Sequence, residues 1–329
     1  MNRFTDKQAG LTLVEMMVAL AIGSFLIIGA VQIYNQSRQA FVVNESIARV
    51  QETAQFAMDT IEADLRMASN WGRTSRALTI EGRSVSGDTN PDGLAEPNGC
   101  GAGWALNLAM TVDGSDSYTL PCGATGGAEG SSDTLTVRRA TVDPVAPDGA
   151  HLQIQTSRIQ GQLFQDTNIP AGFSDAIDPV TGQPDSTTHN LIVNSYYVAA
   201  DSSLIPNTPT LRRKTLTVDS GAPAIQDEEI APGVENLQVQ FGVDVDEDNT
   251  VDRYVNPDDR IFDPDDGNYI PGARVLTARV WLVVRGVSRE VGIQDQRDYA
   301  PGNVDLGTPN DDFRRLEVSK TILLRNTRT

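Results

Sequence analysis

Between Leu11 and Tyr34 the chain carries 24 residues that are apolar except for Thr12, Glu15, Ser24 and Gln32. As one helix this run would be about 36 Å long, enough to cross a bilayer. A short polar stretch, Met1–Gly10 with Arg3 and Lys7, precedes it, and an acidic chain follows. Positive charge before the run and negative charge after it place the N-terminus inside and the remainder outside. A secretory signal would have a shorter apolar core ending at a small-residue cleavage site. Here the small residue, Gly10, stands before the core, so cutting there would leave the apolar helix in the mature chain. A plain signal anchor would leave Glu15 without an explanation.

Glu15 is the informative residue of the run. A carboxylate inside a membrane segment costs several kcal/mol unless it is neutralised or paired. Cleavage after Gly10 would create an α-amino group on Leu11, a cation at a matching depth. Glu15 of one subunit pairing with the Leu11 amine of its neighbour would give an assembly its register.

The stretch Gly10-Leu11-Thr12-Leu13-Val14-Glu15, followed by Met16-Met17-Val18-Ala19-Leu20-Ala21-Ile22, resembles the type IV pilin and pseudopilin signature. The resemblance implies cutting between Gly10 and Leu11 by a membrane aspartyl prepilin peptidase, which also N-methylates Leu11. Leu11 departs from the phenylalanine usual at that position.

Beyond the apolar run, Ile47, Val50, Ala54, Met58, Ile61, Leu65 and Ala68 recur at three- and four-residue steps, the stripe of an amphipathic helix. Arg49, Glu52, Gln55, Asp59, Glu62 and Arg66 fall on the other faces, with Glu62 and Arg66 spaced as an i,i+4 pair. No proline interrupts residues 11–70, and Gly72 is the expected stop. From about residue 78 the period changes to two. The pattern predicts strands at 78–85, 104–112, 118–121, 134–142, 151–155, 191–199, 210–218, 234–243, 275–287 and 316–324. Loops rich in Gly, Pro, Ser and Asp separate them at 86–103, 123–132, 166–188 and 256–272. Without helical patterns between the strands, antiparallel pairing is expected, in one sheet or two.

The expected organisation is therefore a leader over 1–10, a transmembrane and filament-core helix over 11–34, an amphipathic continuation over 35–70, and an extracytoplasmic β-rich body over 71–329. The fold class is α+β, type IV pilin-like: a long N-terminal helix packed on an elaborated antiparallel sheet.

In the body, Gly233-Val234-Glu235-Asn236-Leu237-Gln238-Val239-Gln240-Phe241-Gly242-Val243-Asp244 alternates cleanly and runs into an acidic turn. It is similar to the PilW-type minor pilins, as are Ser195-Tyr196-Tyr197-Val198 with Leu211-Arg212-Arg213, and the terminal Phe313-Arg314-Arg315-Leu316 with Leu323-Leu324-Arg325-Asn326. The resemblance implies a minor pilin that helps to initiate type IV pilus assembly at or near the tip, in motility, adhesion or DNA uptake. Its partners would be other minor pilins, the major pilin, the prepilin peptidase and the inner-membrane assembly machinery. A type II secretion pseudopilin and a membrane-anchored, calcium-dependent adhesin are the alternatives. The region 86–188 carries no such likeness.

Two side-chain sets in the body carry possible chemistry. Cys100 and Cys122 stand in Gly-rich loops; outside the cytoplasm a disulfide is their natural state, the other reading being two free thiols. Asp244, Asp246, Asp248, Thr250 and Asp252 stand at alternate positions, as oxygen ligands do in a calcium loop. Asn249 takes the usual glycine place and Val255 the usual glutamate place. Asp258, Asp259, Asp263, Asp265 or Asp266 would have to complete the shell, and a solvated acidic hairpin is the other reading. No cofactor is required; a structural Ca2+ is the only one these residues suggest. His151 and His189 lie in no nucleophile motif, and no phosphate loop, dinucleotide fingerprint or zinc spacing occurs, so enzymatic activity is not expected. With a net charge of −18 the body repels phosphate backbones, which argues against nucleic acid as a direct partner.

Overall fold

Helix α1 runs without a break from Leu13 to Met67. The structure is a computed structural model that describes residues 12–83, 94, 97–100, 103–290 and 292–327. The leader, with Gly10 and Leu11, lies outside the described residues. The chain divides into two units, Met1–Arg49 and Val50–Thr329.

In the first unit the helix is long and apolar enough to cross a membrane. Its apolar side chains, among them Leu13, Leu20, Phe25, Ile33 and Phe41, are exposed. Ser24 Oγ returns a hydrogen bond to Leu20 O at 2.7 Å, which satisfies the hydroxyl inside the apolar run. Glu45 and Arg49 form an exposed i,i+4 pair at 2.6 Å.

In the second unit, residues 50–67 of α1 present the expected stripe. Val50, Ala54, Met58, Ile61 and Leu65 are buried, and Ala68 follows just past the helix. Ile47, at the head of the expected stripe and in the first unit, is half-buried. The helix ends at Met67, before the expected glycine, because Ser69 takes a left-handed conformation (φ 63°). Gly72 has a different task. Its φ is 88°, and a Cβ there would lie 2.4 Å from Nε2 of the buried His189.

The body holds two sheets. The larger is built from β1 (Ile80–Glu81), β2 (Val112–Ser115), β3 (Thr134–Ala140), β4 (Gln153–Thr156), β5 (Gly161–Phe164), β6 (Thr187–Ala199), β7 (Thr210–Asp219) and β8 (Ala222–Pro232). Its order is β1-β5-β4-β6-β3-β2, with the β7–β8 hairpin attached along the C-terminal half of β6. The smaller is formed by β9 (Val234–Asp244), β10 (Arg253–Val255), β11 (Arg274–Arg285) and β12 (Arg315–Leu323), in the order β10-β9-β11-β12. Pairing is antiparallel throughout except for the two-residue contact of β1 with β5.

Three expected strands are replaced by other structure. A 3₁₀ turn at Ala77–Thr79 leaves two strand residues of the first among those described, and 84–85 lie outside the described residues. The 104–112 segment is a 3₁₀ turn, Gly103–Leu106, and a loop that leads into β2, and 118–121 is irregular. The cause at 104–112 is Arg138, fully buried on β3. Its guanidinium donates to the carbonyls of Trp104 and Met110, and the segment wraps around it. Four unexpected strands, β2, β5, β8 and β10, are present among the described residues. β8 reads as a loop because it holds two prolines and Asp227-Glu228-Glu229. Across the hairpin those acids meet Arg212, Arg213 and Lys214, so ion pairs hold the ladder where apolar alternation does not.

Two apolar clusters form the core. One joins α1 to both sheets through Ile61, Leu65, Leu135, Tyr196, Val239, Phe241, Val280 and Leu282. The other gathers Trp71, Leu106, Leu108, Ile154 and Val193 at the far end of the larger sheet. Gly233, between β8 and β9, has φ 96°, and a Cβ there would come within 2.6 Å of Arg285 O. The turn therefore requires the glycine that opens the alternating stretch.

Candidate functional site: the helix start, the helix–sheet joint and the acidic turn

At its N-terminus α1 begins with a reciprocal cap. Thr12 N–H and Oγ1 both donate to Glu15 Oε2, at 2.9 and 2.8 Å, while Glu15 N–H donates to Thr12 Oγ1 at 3.3 Å. This is the capping-box arrangement, with threonine before the helix and glutamate three residues on. Both donors use Oε2, and Oε1 has no partner among the described residues. Glu15 thus orders its own helix start through one of its two carboxylate oxygens.

A second acid on α1 is absent from the sequence-level candidates. Asp64 is buried, and its Oδ2 accepts hydrogen bonds from Asn194 Nδ2 and Tyr196 Oη, both at 2.6 Å. Its Oδ1 accepts from Arg139 Nε and Nη2 at 3.1 and 2.9 Å. One carboxylate therefore ties the helix to β3 and β6 and is compensated by an arginine, which a buried charge requires. The signal was legible: Ala57, Ile61, Asp64 and Ala68 lie at four-, three- and four-residue steps, so an acid interrupts the apolar face. Glu62 also departs from its expected place on an open face. It is buried, pairs with Arg66 as its spacing predicts, and accepts from Lys320 of β12, which holds its carboxyl below the usual range.

Cys100 and Cys122 are bonded, with Cα atoms 4.5 Å apart. Asn98, two residues before the bridge, adds to the edge of β8 at Ala224. After it, the carbonyl of Cys122 accepts from Tyr118 Oη at 2.6 Å, and the Tyr118 ring meets Tyr197 edge-on at 5.0 Å. Beneath them Asp227 accepts from Lys214, Tyr197, Arg212 and Thr125. Burial pushes Asp227 up, but these donors outweigh it and hold the carboxyl below its ordinary range.

The acidic turn joins β9 to β10. Asp244, Asp246 and Asp252 each bring a carboxylate oxygen within 4.8 Å of the others. Asp248 and Thr250 turn toward each other instead, Thr250 donating N–H and Oγ1 to Asp248 Oδ1 at 2.7 and 2.6 Å. Asp244 is fully buried, and both of its oxygens are engaged. Oδ1 accepts the Glu247 N–H; Oδ2 accepts the Asn249 N–H and the Arg274 guanidinium. Burial raises its pKa, yet these donors win and hold it low. Asn249 has φ 65°, the left-handed conformation expected at that place. The donor set is therefore partial: Asp246 and Asp252 have the freer oxygens, and Arg274 already neutralises the third acid. His189 donates and accepts within the body, with Nδ1 at Thr141 O and Nε2 at Thr187 Oγ1; His151 caps a turn against Asp148.

Residues 195–326 match the family Type IV Pilus-assembly protein W, and residues 5–31 match the Prokaryotic N-terminal methylation motif. The first match begins at Ser195, beside the Asp64 joint, and includes the acidic turn. A type IV-like pilin from Thermus thermophilus aligns at 16% identity over 60% of this chain and 80% of its own, with a TM-score of 0.27, too low to argue from. No curated protein matches the chain significantly. The chain thus carries a sequence similar to the N-terminal methylation motif on a membrane-length apolar helix, and the C-terminal part of its body is similar to Type IV Pilus-assembly protein W.

Proposed function

We propose that this protein is a minor pilin of the PilW type, inserted in the inner membrane by residues 11–34 with its body in the periplasm, and that it helps to initiate a type IV pilus, ending at or near the tip. The observation that carries the reading is the exposed apolar helix of Leu13–Arg49 beside a body that buries its own core. Leaving the membrane would put this face in water, so it needs the helices of other pilins as cover. Its partners are then other minor pilins and the major pilin, with the prepilin peptidase cutting between Gly10 and Leu11 and methylating Leu11. Deleting the gene should abolish or sharply reduce surface pili and twitching. Mass spectrometry of the mature protein should find N-methylated Leu11 at its start. Normal piliation in the deletion strain, with a failing secretion system, would favour a type II secretion pseudopilin instead.

A structural cation at the acidic turn is a subordinate proposal, supported by the convergence of Asp244, Asp246 and Asp252. Its role would be to hold the β9–β10 loop. In an anchored adhesin that loop would act without filament entry, and the Glu15 variant described below separates that reading from a pilin.

A further inference from the structure

The outer face of the smaller sheet carries a side-chain arrangement that lies outside the apolar core. On β11, Val280, Leu282 and Val284 point into the core and are fully buried, so Arg279 and Trp281 stand on the opposite face, half-buried. Arg279 lies opposite Gln240 of β9 and Thr321 of β12, and Trp281 lies opposite Ser319 and the buried Gln238, where Gly302 packs against one edge of the indole and leaves the rest half-exposed. Gly242 leaves room for the Tyr254 ring, since a Cβ there would lie 3.0 Å from its Cε1. The result is a stack: the Arg279 guanidinium sits 3.9 Å from the Tyr254 ring centre and 5.7 Å from that of Trp281.

Arg279 has no carboxylate and no hydrogen-bond acceptor among the described residues. This sets it apart from its neighbours: Arg274 pairs with Asp244, and Arg285 and Arg315 pair with Glu235. In a chain of 44 acids and 26 basic residues, a guanidinium fixed by two rings but left without an anion is unusual. Its planar fork of N–H donors fits one carboxylate in a bidentate manner. Around it stand the exposed hydroxyls of Ser319 and Thr321. Gln240 adds an amide, whose Nε2 is bonded to Asn256 Oδ1 at 3.0 Å.

We propose that this face binds a saccharide bearing a single carboxylate per sugar, of the uronic or sialic acid kind. The carboxylate pairs with Arg279, which Tyr254 holds in place, the apolar face of the ring lies on Trp281, and its hydroxyls meet Ser319, Thr321 and Gln240. Charge complementarity is local to Arg279. Glu317 is exposed on the same strand and face as Ser319, and the net charge of −18 opposes densely charged polyanions. The strand that carries Arg279 and Trp281, β11, is paired on both sides, so a ligand reaches them through side chains and not through a ladder.

The test uses the full chain in a zwitterionic detergent without a sugar headgroup, titrated with sialyllactose, digalacturonate and lactose. Saturation-transfer NMR and tryptophan fluorescence report the binding. Saturable binding of at least one acidic sugar is expected, with lactose about tenfold weaker or undetectable. Arg279→Gln should weaken acidic-sugar binding about tenfold and Arg279→Lys should restore it only in part, both with unchanged thermal midpoints, and Trp281→Ala should abolish it. Absence of saturable binding to both acidic sugars, equal binding of lactose, or an Arg279→Gln variant that binds like the parent would each overturn the proposal.

Discussion

Asp64 and Tyr196 lie 132 positions apart in sequence and meet through a 2.6 Å hydrogen bond that joins the helix to the central strand of the larger sheet. Tyr196 is fully buried and Asp64 only 5% exposed, and the same carboxylate is held by Arg139 and Asn194. Burial and the negative charge of Asp64 push the Tyr196 hydroxyl far above its ordinary pKa, so it remains a donor at any physiological pH. Removing the carboxylate is then far more costly than removing one of its donors. Asp64→Ala should destabilise the body by about 3–5 kcal/mol, since Arg139 loses its compensating charge. Tyr196→Phe should cost about 1 kcal/mol. Denaturant unfolding of the two variants, read as midpoints against the parent, checks the order.

The joint between the sheets contains an acid of a different character. Asp133 is 1% exposed, its Oδ2 accepts the Val239 N–H at 2.7 Å, and Asp116 and Asp258 add negative charge nearby. Burial is the largest influence and pushes its pKa to about 7, against the hydrogen bond from Val239. The folded state therefore holds this proton more tightly than the unfolded chain. Its stabilising contribution is complete below about pH 4 and is lost as pH rises through about 7. Asp133→Asn keeps the acceptor and removes the titration. It should be more stable than the parent by on the order of 2 kcal/mol at pH 8, and the gap should shrink toward pH 4. A gap independent of pH would show that Asp133 is not the titrating group.

For the acidic turn, thermal unfolding in calcium or in chelator decides the matter. A cation at about 100 times its Kd should raise the midpoint by roughly 3–5 °C. Asp246→Asn/Asp252→Asn should remove the rise, while Asp248→Ala should leave it, because Asp248 is turned to Thr250. Identical midpoints in calcium and chelator would dispose of the cation.

Glu15 has two tasks to separate. Glu15→Gln can still accept from Thr12, so the helix start should form, but it offers no charge to a neighbour's Leu11 amine. Assembly into pili should fall at least tenfold in both Glu15→Gln and Glu15→Ala, with processing intact and the protein still in the membrane. Pili at parental number in Glu15→Gln would mean that the cap, and not an intersubunit pair, is what the acid provides.

Where local chemistry repeats along the chain, the outcome was legible beforehand. The apolar run, the stripe from Val50 to Ala68 and the alternation of Val234–Asp244 each satisfy one period, and each forms the expected element. Strand β8 was not legible, because its reason for pairing lies in the basic residues of β7 across the hairpin. The loop 104–111 was hidden for a similar cause: Arg138, on another strand, supplies the donors around which it folds.

The sequence by itself determined that this chain has a membrane-length helix, a processing signature, one internal acid five residues beyond it, and a β-rich body. These depend on neighbours within a few residues, where spacing alone sets which groups share a face. Only the tertiary structure decided that Asp64 is a buried joint, that three acids of the turn converge while Asp248 turns aside, and that Arg279 stands between two rings without an anion. Those outcomes depend on groups brought together from distant strands, where burial and the loss of water decide which charges must find partners.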